Sequence, residues 1–407
     1  MRYELTNTDP ALLNATMFNK YNKKCKLCLV AQAKFLFYND VINRGKGGII
    51  MRKTYIDNIR WITVVLVVIY HVIYMFNGVT QYGIIGPFSD HQPQDVFQYT
   101  IYPWFMLLLF VISGMCARFE LNKVNEKEFI RKRTRKFLVP STIGLIVWGW
   151  TTGYYNMLIS GAFEQMAAVP KPILFLIVCL SGTGPLWYIQ MLWLFSLLLL
   201  LIRKIEKDRL WRRCEGAGTP VALLLTVVIY GAAQILNTPI IVVYRFGVYG
   251  AGFLIGYFVF SHDEVMDRLD RSWILLSVLG AASGLLFVIM FWGQSYPDHV
   301  VLDTFVCNLF AWLGTLGVLA FMKKWGGFEN RFADWMKRQS FGLYVFHYLP
   351  IAMSAWYLKM YASQMPPALI YLLVGISGFA GAYLLNSIIS KIPVIRWCVL
   401  GIGKGTK

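Results

Sequence analysis

The sequence predicts an all-α, polytopic membrane protein of about ten transmembrane helices with both termini in the cytoplasm. Of its 407 residues, 57% are hydrophobic and only 15% are charged, whereas soluble proteins carry about 25% charged residues. The hydrophobic residues gather in long runs, and the basic residues lie in short blocks between them. Such blocks are typical of cytoplasmic loops. The net charge of +18 therefore does not indicate a nucleic-acid partner.

Ten hydrophobic runs approach the length of about 20 residues that a transmembrane helix needs. In chain order they cover residues 61–77, 97–117, 137–158, 185–202, 219–236, 238–260, 272–292, 301–321, 341–361 and 367–390. A shorter apolar piece precedes the fourth run, at residues 172–180. It is too short to span a bilayer, so we predict a re-entrant or interfacial segment there.

The distribution of Lys and Arg predicts the orientation of these spans. Segments 118–136, 203–213 and 322–338 hold eight, six and five basic residues, whereas 78–96 and 293–300 hold none. Basic loops tend to stay in the cytoplasm. The loops without basic residues are therefore predicted outside, and ten spans then place both ends of the chain inside.

The first fifty residues differ from the rest, because they are weakly periodic and lack the apolar core of a secretory signal. We divide the chain into an N-terminal extension (1–50), a transmembrane domain (51–395) and a cytoplasmic tail (396–407). Met51 begins a plausible cytoplasmic lead into the first span, so we hypothesise that it is the physiological start. Cys25 and Cys28 form an isolated CxxC motif, which by itself does not predict a metal site.

The first span carries three ionisable residues. Arg60 and His71 are eleven residues apart, which is only about 20° beyond three helical turns, so they share a helix face. The helical rise puts His71 roughly 16 Å from Arg60, near the middle of the bilayer. Asp57 pairs with Arg60 if the helix begins early enough. Ionisable residues inside a membrane usually line a cavity or a pathway. The alternative role for His71 is a hydrogen bond between helices.

Four further features allow both a functional and a structural interpretation. The basic run from Phe129 to Pro140 suits a phosphate site, but a role in orienting the chain is sufficient to explain it. Ser113 is either a site residue or part of a close helix contact. Trp187 is either a sugar-facing platform or part of an aromatic belt. His347 is as consistent with packing as with a site.

Taken in order, these motifs resemble the acyltransferase family 3 of integral membrane proteins. The matching stretches run from about Tyr55 to Pro393. They are YIDNIRW with His71 in an Arg-x10-His spacing, FVISGM closing the second span, the basic run ending at Pro140, PLWYI at the fourth span and SFGLYVFHYLPI at the ninth. Each motif alone is weakly specific, but the ordered set is fairly specific. Within the family the chain is most similar to the branch that acylates periplasmic glucans, through IDNIR, VISG and KIPVIRW.

The resemblance implies an enzyme that takes an acyl group from cytoplasmic acyl-CoA (acetyl-CoA or succinyl-CoA) and places it on a carbohydrate hydroxyl. The acceptor would be an envelope glycan or an exopolysaccharide, usually modified at the outer face of the inner (plasma) membrane. No metal is expected. The essential His and Arg of the family correspond to His71 and Arg60, and its acidic residue corresponds to Asp57.

The resemblance also assigns binding residues. The two arginines that the family often has before the proline correspond to Arg133 and Lys136, and the lysine keeps the charge but loses the bidentate fork. We assign these two residues and Ser113 to acyl-CoA, and Trp187 and His347 to the acceptor.

Two other classes of protein also fit ten spans with a buried histidine. The first is a transporter or exporter of a glycan or a lipid-linked sugar, although many transporters have internal repeats with broken helices in matching positions, which this sequence does not show. The second is a non-catalytic membrane partner in an envelope-polymer complex. Release of free CoA from acyl-CoA distinguishes an enzyme from both.

Overall fold

The computed structural model describes residues 53–79, 84–238 and 243–403, and it confirms the all-α class. These residues contain no β-strand, and an isolated antiparallel bridge joins Asn237 to Arg245. The N-terminal extension (1–50), the hypothesis about Met51 and the CxxC motif lie outside the described residues.

Nineteen α-helices are present in the described ranges. In chain order they are α1 (Thr54–Tyr74), α2 (Val96–Leu121), α3 (Glu126–Arg133), α4 (Val139–Ser141), α5 (Trp150–Ile159), α6 (Ala162–Gln165), α7 (Lys171–Ser181), α8 (Trp187–Glu206), α9 (Arg209–Cys214), α10 (Thr219–Ala233), α11 (Phe246–Phe258), α12 (Asp263–Arg271), α13 (Trp273–Phe291), α14 (His299–Leu302), α15 (Phe305–Trp325), α16 (Arg331–Phe346), α17 (Tyr348–Tyr361), α18 (Pro367–Ile389) and α19 (Pro393–Leu400). Two 3₁₀ turns (Pro93–Asp95 and Gly184–Leu186) and two π-helical turns (Thr134–Leu138 and Leu145–Gly149) connect some of them.

Six helices are long and apolar enough to cross a membrane by length and composition. They are α1, α2 with its leading 3₁₀ turn, α8 with its leading 3₁₀ turn, α13, α15 and α18. The chain is therefore an integral membrane protein on these two criteria. Each of the six coincides with a predicted span.

The other four predicted spans coincide with shorter or interrupted helices. The run 137–158 begins within the π-helical turn Thr134–Leu138 and contains a second one, Leu145–Gly149. The runs 219–236 and 238–260 contain α10 and α11, of fifteen and thirteen residues. The run 341–361 is divided between α16 and α17 at His347. A total of ten spans therefore stays a prediction. The predicted re-entrant piece is α7, a helix of eleven residues.

Helix α1 begins at Thr54, seven residues before the predicted start of the first span. Its polar first turns are held by the segment that follows α15, because the Asn58 amide donates to the carbonyls of Gly326 and Phe328 at 2.7 and 2.8 Å. Asp57 and Arg60 therefore belong to the same continuous helix as His71.

Helix α2 is the centre of the bundle, since 83% of its apolar stretch is buried inside the protein. It packs backbone to backbone against α11. A Cβ added to Gly114 would lie 1.9 Å from the Phe253 carbonyl oxygen, and one added to Gly256 would lie 1.9 Å from the Val111 carbonyl oxygen. The glycine of the VISGM motif is thus required by a close helix contact, and this contact fixes the face of α2 that carries Ser113.

The predicted basic loops meet at the end of the bundle where α1 begins, here called the basic end. Three ion pairs mark this end: Lys53 with Asp263, Arg118 with Asp208 at 2.6 Å, and Lys323 with Asp267 at 3.0 Å. Two segments with few or no basic residues approach each other at the opposite end, where Ser181, Thr183, Gly184, Ser295, Pro297 and Asp298 line a common cavity.

Candidate active site

Helix α1 carries all three predicted catalytic residues but places them near two different cavities. Arg60 Nη1 donates to Asp57 Oδ1 at 3.1 Å, as expected for residues three apart on a helix. The Arg60 guanidinium also contacts the Cys116 thiol. His71 lies in the last turn of the helix, about 16 Å further along its axis. The ion pair and the histidine therefore belong to separate compartments.

The compartment around Arg60 is a small cavity at the basic end, of about 60 Å³, here called the basic cavity. Its lining combines four cationic side chains with one carboxylate. The lining residues are Arg60, Ser113, Cys116, Glu120, Lys132, Arg133, Lys136 and Phe137. The structure thus brings together all three residues that the sequence assigned to acyl-CoA, and it adds Arg60 to them.

Arg133 is rigidly held in the wall of the basic cavity. Its Nε and Nη2 atoms donate to Glu120 Oε2 at 3.2 and 2.9 Å. Its guanidinium carbon also lies 4.7 Å from the Phe129 ring centroid and 5.2 Å from that of Phe137. A guanidinium that contacts two rings and is bonded along one edge to a carboxylate keeps its remaining N–H groups in a defined direction.

Lys136 is partly buried in the wall of this cavity, at the π-helical turn that follows α3. Burial lowers its pKa to about 7, Glu120 opposes this shift, and the positive charges of Arg133 and Arg60 add to it. Its ammonium group is therefore only partly protonated at neutral pH. An anion entering the cavity would favour the charged form.

The compartment around His71 is larger, about 740 Å³, and is here called the aromatic cavity. Aromatic rings, most of them tyrosines, form most of its wall, and a few small polar groups lie near the end opposite to the basic end. The aromatic side chains are Tyr70, Tyr74, Tyr102, Phe105, Trp187, Tyr244, Tyr249, Tyr344 and Tyr348, and the polar ones include Ser181, Thr183, Ser295 and Asp298. His71 and Trp187, predicted separately, therefore share one cavity.

His347 lies next to His71 but not in the cavity wall. It is fully buried at the break between α16 and α17, and the described residues that line the aromatic cavity do not include it. Its Nε2 atom is 3.2 Å from His71 Nδ1. Its Nδ1 atom faces the carbonyl oxygens of Leu343 and Tyr344 at 3.0 and 2.9 Å. His347 therefore contacts His71 without lining the aromatic cavity, and its predicted role in acceptor binding stays a prediction.

Tyr188 lies between the two cavities. Its hydroxyl is 2.8 Å from the Ser113 hydroxyl and donates to the Leu109 carbonyl at 3.2 Å. Ser113 lines the basic cavity, whereas Trp187 and Tyr344, whose rings adjoin that of Tyr188, line the aromatic cavity. The serine–tyrosine contact therefore links a residue of the basic cavity to the aromatic side chains next to the other cavity.

Sequence reasoning missed Cys116 and Glu120. A signal for both was present, because Ser113, Cys116 and Glu120 follow one another at intervals of three and four residues. That spacing places them on one face of a helix, as a polar stripe on the otherwise apolar α2. The contact of Tyr188, which follows Trp187 in the PLWYI motif, with Ser113 was not predicted, because it depends on where α8 meets α2.

A comparison with known families agrees with these observations. The sequence profile of the acyltransferase domain of acyltransferase family 3 matches residues 53–387, which is more than four-fifths of the chain. Searches of curated proteins and of solved structures return no match. The matched range contains both cavities and the site residues described in this section. The chain therefore belongs to the acyltransferase family 3 of integral membrane proteins.

Proposed function

We propose that this protein is an integral membrane O-acyltransferase that moves an acetyl or succinyl group from acyl-CoA to a hydroxyl of a cell-envelope carbohydrate, an envelope glycan or an exopolysaccharide. The observation that carries the proposal is the division of one helix between two cavities. Helix α1 presents Arg60 to a cationic cavity at one end and His71 to an aromatic cavity nearer the other. The donor carries anionic phosphates, which suit the cationic cavity, and the acceptor is an uncharged sugar, which suits the aromatic cavity.

The basic cavity supports the choice of donor. Its cationic side chains outnumber its single carboxylate, and clustered Arg and Lys suit phosphate groups. A volume of about 60 Å³ holds only a few water molecules. One anionic group of acyl-CoA would therefore occupy the cavity next to Arg133 and Lys136, and the rest of the nucleotide would lie on the surface of the basic end.

The aromatic cavity supports the choice of acceptor. A sugar ring has apolar C–H faces and hydroxyl edges. Tyrosine and tryptophan side chains combine an apolar ring with a polar group that forms hydrogen bonds, so a wall of Trp187 and seven tyrosines suits both parts of a sugar. The volume of about 740 Å³ lies within the range typical of small-molecule sites.

His71 is the residue in this cavity that suits the chemistry. A hydroxyl is a poor nucleophile until its proton is removed, and a neutral imidazole is a suitable general base. In the proposed step the acceptor proton moves to His71 Nε2 while the acceptor oxygen bonds to the acyl carbon. The carbon–sulfur bond breaks, its electron pair stays on sulfur, and the sulfur then takes the proton from His71. Arg60, held by Asp57, would anchor the donor at the basic end.

We further propose that the chain crosses the inner (plasma) membrane ten times, with the basic end and both termini in the cytoplasm. The gathering of the basic segments at one end of the bundle supports this orientation. Acyl-CoA would then enter from the cytoplasm and the carbohydrate from outside, so that His71 would lie where the two substrates meet.

The test is an assay of both products with purified protein in detergent. We expect free CoA and an O-acyl ester to form together from acetyl-CoA or succinyl-CoA when a glucan or an envelope polysaccharide is present, and His71→Ala to form neither. If neither product forms with any acceptor prepared from the envelope, the proposal fails. Uptake of a glycan into proteoliposomes without ester formation would instead indicate the transporter class.

A further inference from the structure

The contact between His71 and His347 shows which ring nitrogens carry hydrogen. A carbonyl oxygen accepts hydrogen bonds and does not donate them. His347 Nδ1 lies 3.0 and 2.9 Å from the carbonyls of Leu343 and Tyr344, so this nitrogen must be protonated. His71 Nδ1 lies 2.8 Å from the Val67 carbonyl and must also be protonated. In a neutral imidazole the other nitrogen, Nε2, then has a free lone pair.

These assignments give the direction of the bond between the rings. His71 Nδ1–H is the donor, shared between the Val67 carbonyl and His347 Nε2, which accepts at 3.2 Å. The opposite direction would place an unprotonated His71 Nδ1 against the Val67 carbonyl, with two lone pairs facing each other. The observed geometry therefore leaves His71 Nε2 as the nitrogen able to take a proton, on a residue that lines the aromatic cavity.

We propose that His347 is a positioning residue for the transfer reaction, an inference that rests on the proposed function of His71. Its Nε2 lone pair holds the His71 ring and its tautomer. When His71 Nε2 takes the acceptor proton, both nitrogens of His71 carry hydrogen and the ring becomes positive. The Nδ1–H group then donates more strongly to His347, and this stabilises the imidazolium until the proton passes to the sulfur of CoA. His347 itself touches neither substrate.

The surroundings of the two histidines explain why the neutral His347 imidazole matters as a hydrogen-bond acceptor for His71. The ring contacts of His71, among the described residues, are with Tyr70, Tyr74, Tyr348 and His347, and its hydrogen bonds are to Val67 and His347. No carboxylate is part of this set, in contrast to histidine bases that an acid orients. The second imidazole takes the place that a carboxylate occupies in such sites.

A purely structural role for His347 is the competing explanation, because its Nδ1–H bonds also satisfy two carbonyls at the end of α16. Two substitutions separate the roles. The amide of His347→Asn reaches the position of Nδ1 and keeps a donor for these carbonyls, but it places nothing at the position of Nε2. The amide of His347→Gln reaches the position of Nε2 and offers an oxygen to His71, but it loses the donor at Nδ1.

The experiment compares kcat and the donor KM of the two variants, in detergent, at equal amounts of folded protein. We expect His347→Asn to lower kcat about 10–100-fold, the size of effect typical of the hydrogen-bond partners of metal-ligating histidines, with the donor KM unchanged. His347→Gln should keep kcat within about tenfold of the parent. An Asn variant that is as active as the Gln variant, or more active, would overturn the proposal. An inactive parent chain would overturn the proposed function instead.

A second measurement does not depend on activity. The chain has only five histidines, so ¹⁵N-histidine labelling gives few signals, and the His71→Gln variant identifies the signal of His71. We expect the parent protein to show His71 with hydrogen on Nδ1 and none on Nε2, and the Nδ1 signal to move in His347→Asn. A His71 ring with hydrogen on Nε2 instead, or a Nδ1 signal that does not move in His347→Asn, contradicts the assignment.

Discussion

At the scale of single residues, the proposed reaction depends most on His71. The hydrogen bonds of its Nδ1 atom are to Val67 and His347, and in the proposed reaction its Nε2 atom takes the proton. His71 forms a hydrogen bond with His347 at the break between α16 and α17, and it also lines the aromatic cavity. The two roles differ in what a substitution would do.

Replacing His71 separates these roles. His71→Gln keeps a similar length and hydrogen-bonding groups but takes up no proton at neutral pH. If His71 is a general base, we expect His71→Gln to be nearly as inactive as His71→Ala, because general base catalysis contributes about 10²–10⁴-fold, or about 3–5 kcal/mol. If it only links helices, Gln should restore most activity, since such bonds contribute about 1 kcal/mol in membranes. Ester formation at matched protein abundance is the measurement, and a highly active Gln variant contradicts catalysis.

Lys136 makes donor affinity depend on pH. Its pKa is lowered to about 7, chiefly by burial and further by Arg133 and Arg60, so above pH 7 it is mostly neutral in the free protein. If a donor phosphate binds beside it, the bound state favours the protonated form. Binding then takes up a proton, and affinity must fall as pH rises, by at most about tenfold per pH unit. We expect acyl-CoA affinity to fall about tenfold between pH 7.5 and 9.

The matched control is Lys136→Arg, which keeps a positive charge throughout this range. Titration of the donor's own groups affects both proteins equally, so the difference between them isolates Lys136. We expect the affinity of Lys136→Arg to be nearly independent of pH between 7.5 and 9. Parallel pH profiles for the two proteins would mean that Lys136 does not contact the donor.

At the scale of secondary-structure elements, the contact between α2 and α11 holds the basic cavity together. Ser113 and Cys116 line that cavity from the same turns of α2 in which Gly114 touches the Phe253 carbonyl. Because helix packing inside a membrane depends on close approach of backbones, the spacing of these two helices sets the position of both cavity residues.

A side chain at Gly114 should therefore disrupt the fold. A Cβ there would lie 1.9 Å from the Phe253 oxygen, so the helices must separate, whereas a Cβ at Gly231 on α10 meets nothing within 4 Å. We expect Gly114→Ala to destabilise the protein by about 1–3 kcal/mol, as overpacking does. Gly231→Ala should be neutral or slightly stabilising, because Ala favours helix by up to about 1 kcal/mol over Gly. Thermal unfolding in detergent measures both, and equal midpoints would refute the close contact.

At the scale of the whole molecule, the orientation in the membrane decides which substrate reaches which cavity. Cysteines at Asp90 and Lys127, both exposed, lie in a predicted outer and a predicted inner loop. An impermeant thiol reagent on whole cells should label Asp90→Cys but not Lys127→Cys, with the parent chain as the background for its native cysteines. The reverse pattern would invert the proposed orientation, and with it the entry of the donor from the cytoplasm.

A deletion strain tests the proposed acceptor at the same scale. If the protein esterifies an envelope carbohydrate, we expect the strain that lacks it to lose O-acyl groups from that polymer and to regain them with the parent gene but not with His71→Ala. Mass and NMR analysis of the isolated polysaccharides measures the ester content. Unchanged ester content in every envelope polysaccharide would exclude this class of acceptor.

Local and periodic features of the fold were predictable from the sequence. Six predicted spans coincide with long helices, because the length of an apolar run reports directly what the bilayer needs. The ion pair of Asp57 and Arg60 was predictable because the two residues are three apart on one helix. The interruptions at 134–149 and at His347 were not, since π-helical turns and helix breaks depend on neighbouring helices rather than on hydropathy.

Composition and helical geometry were enough to predict the membrane class and the spacing of Arg60 and His71 along a helix, whereas the tertiary structure showed that helix α1 begins at Thr54 and therefore includes Asp57 and Arg60. Which side chains contact one another across the bundle was visible in the tertiary structure alone. The contact between His71 and His347 joins residues 276 positions apart, and that between Ser113 and Tyr188 joins residues 75 positions apart. Contacts of this kind depend on how helices pack, and the spacing of residues along a single helix carries no information about them.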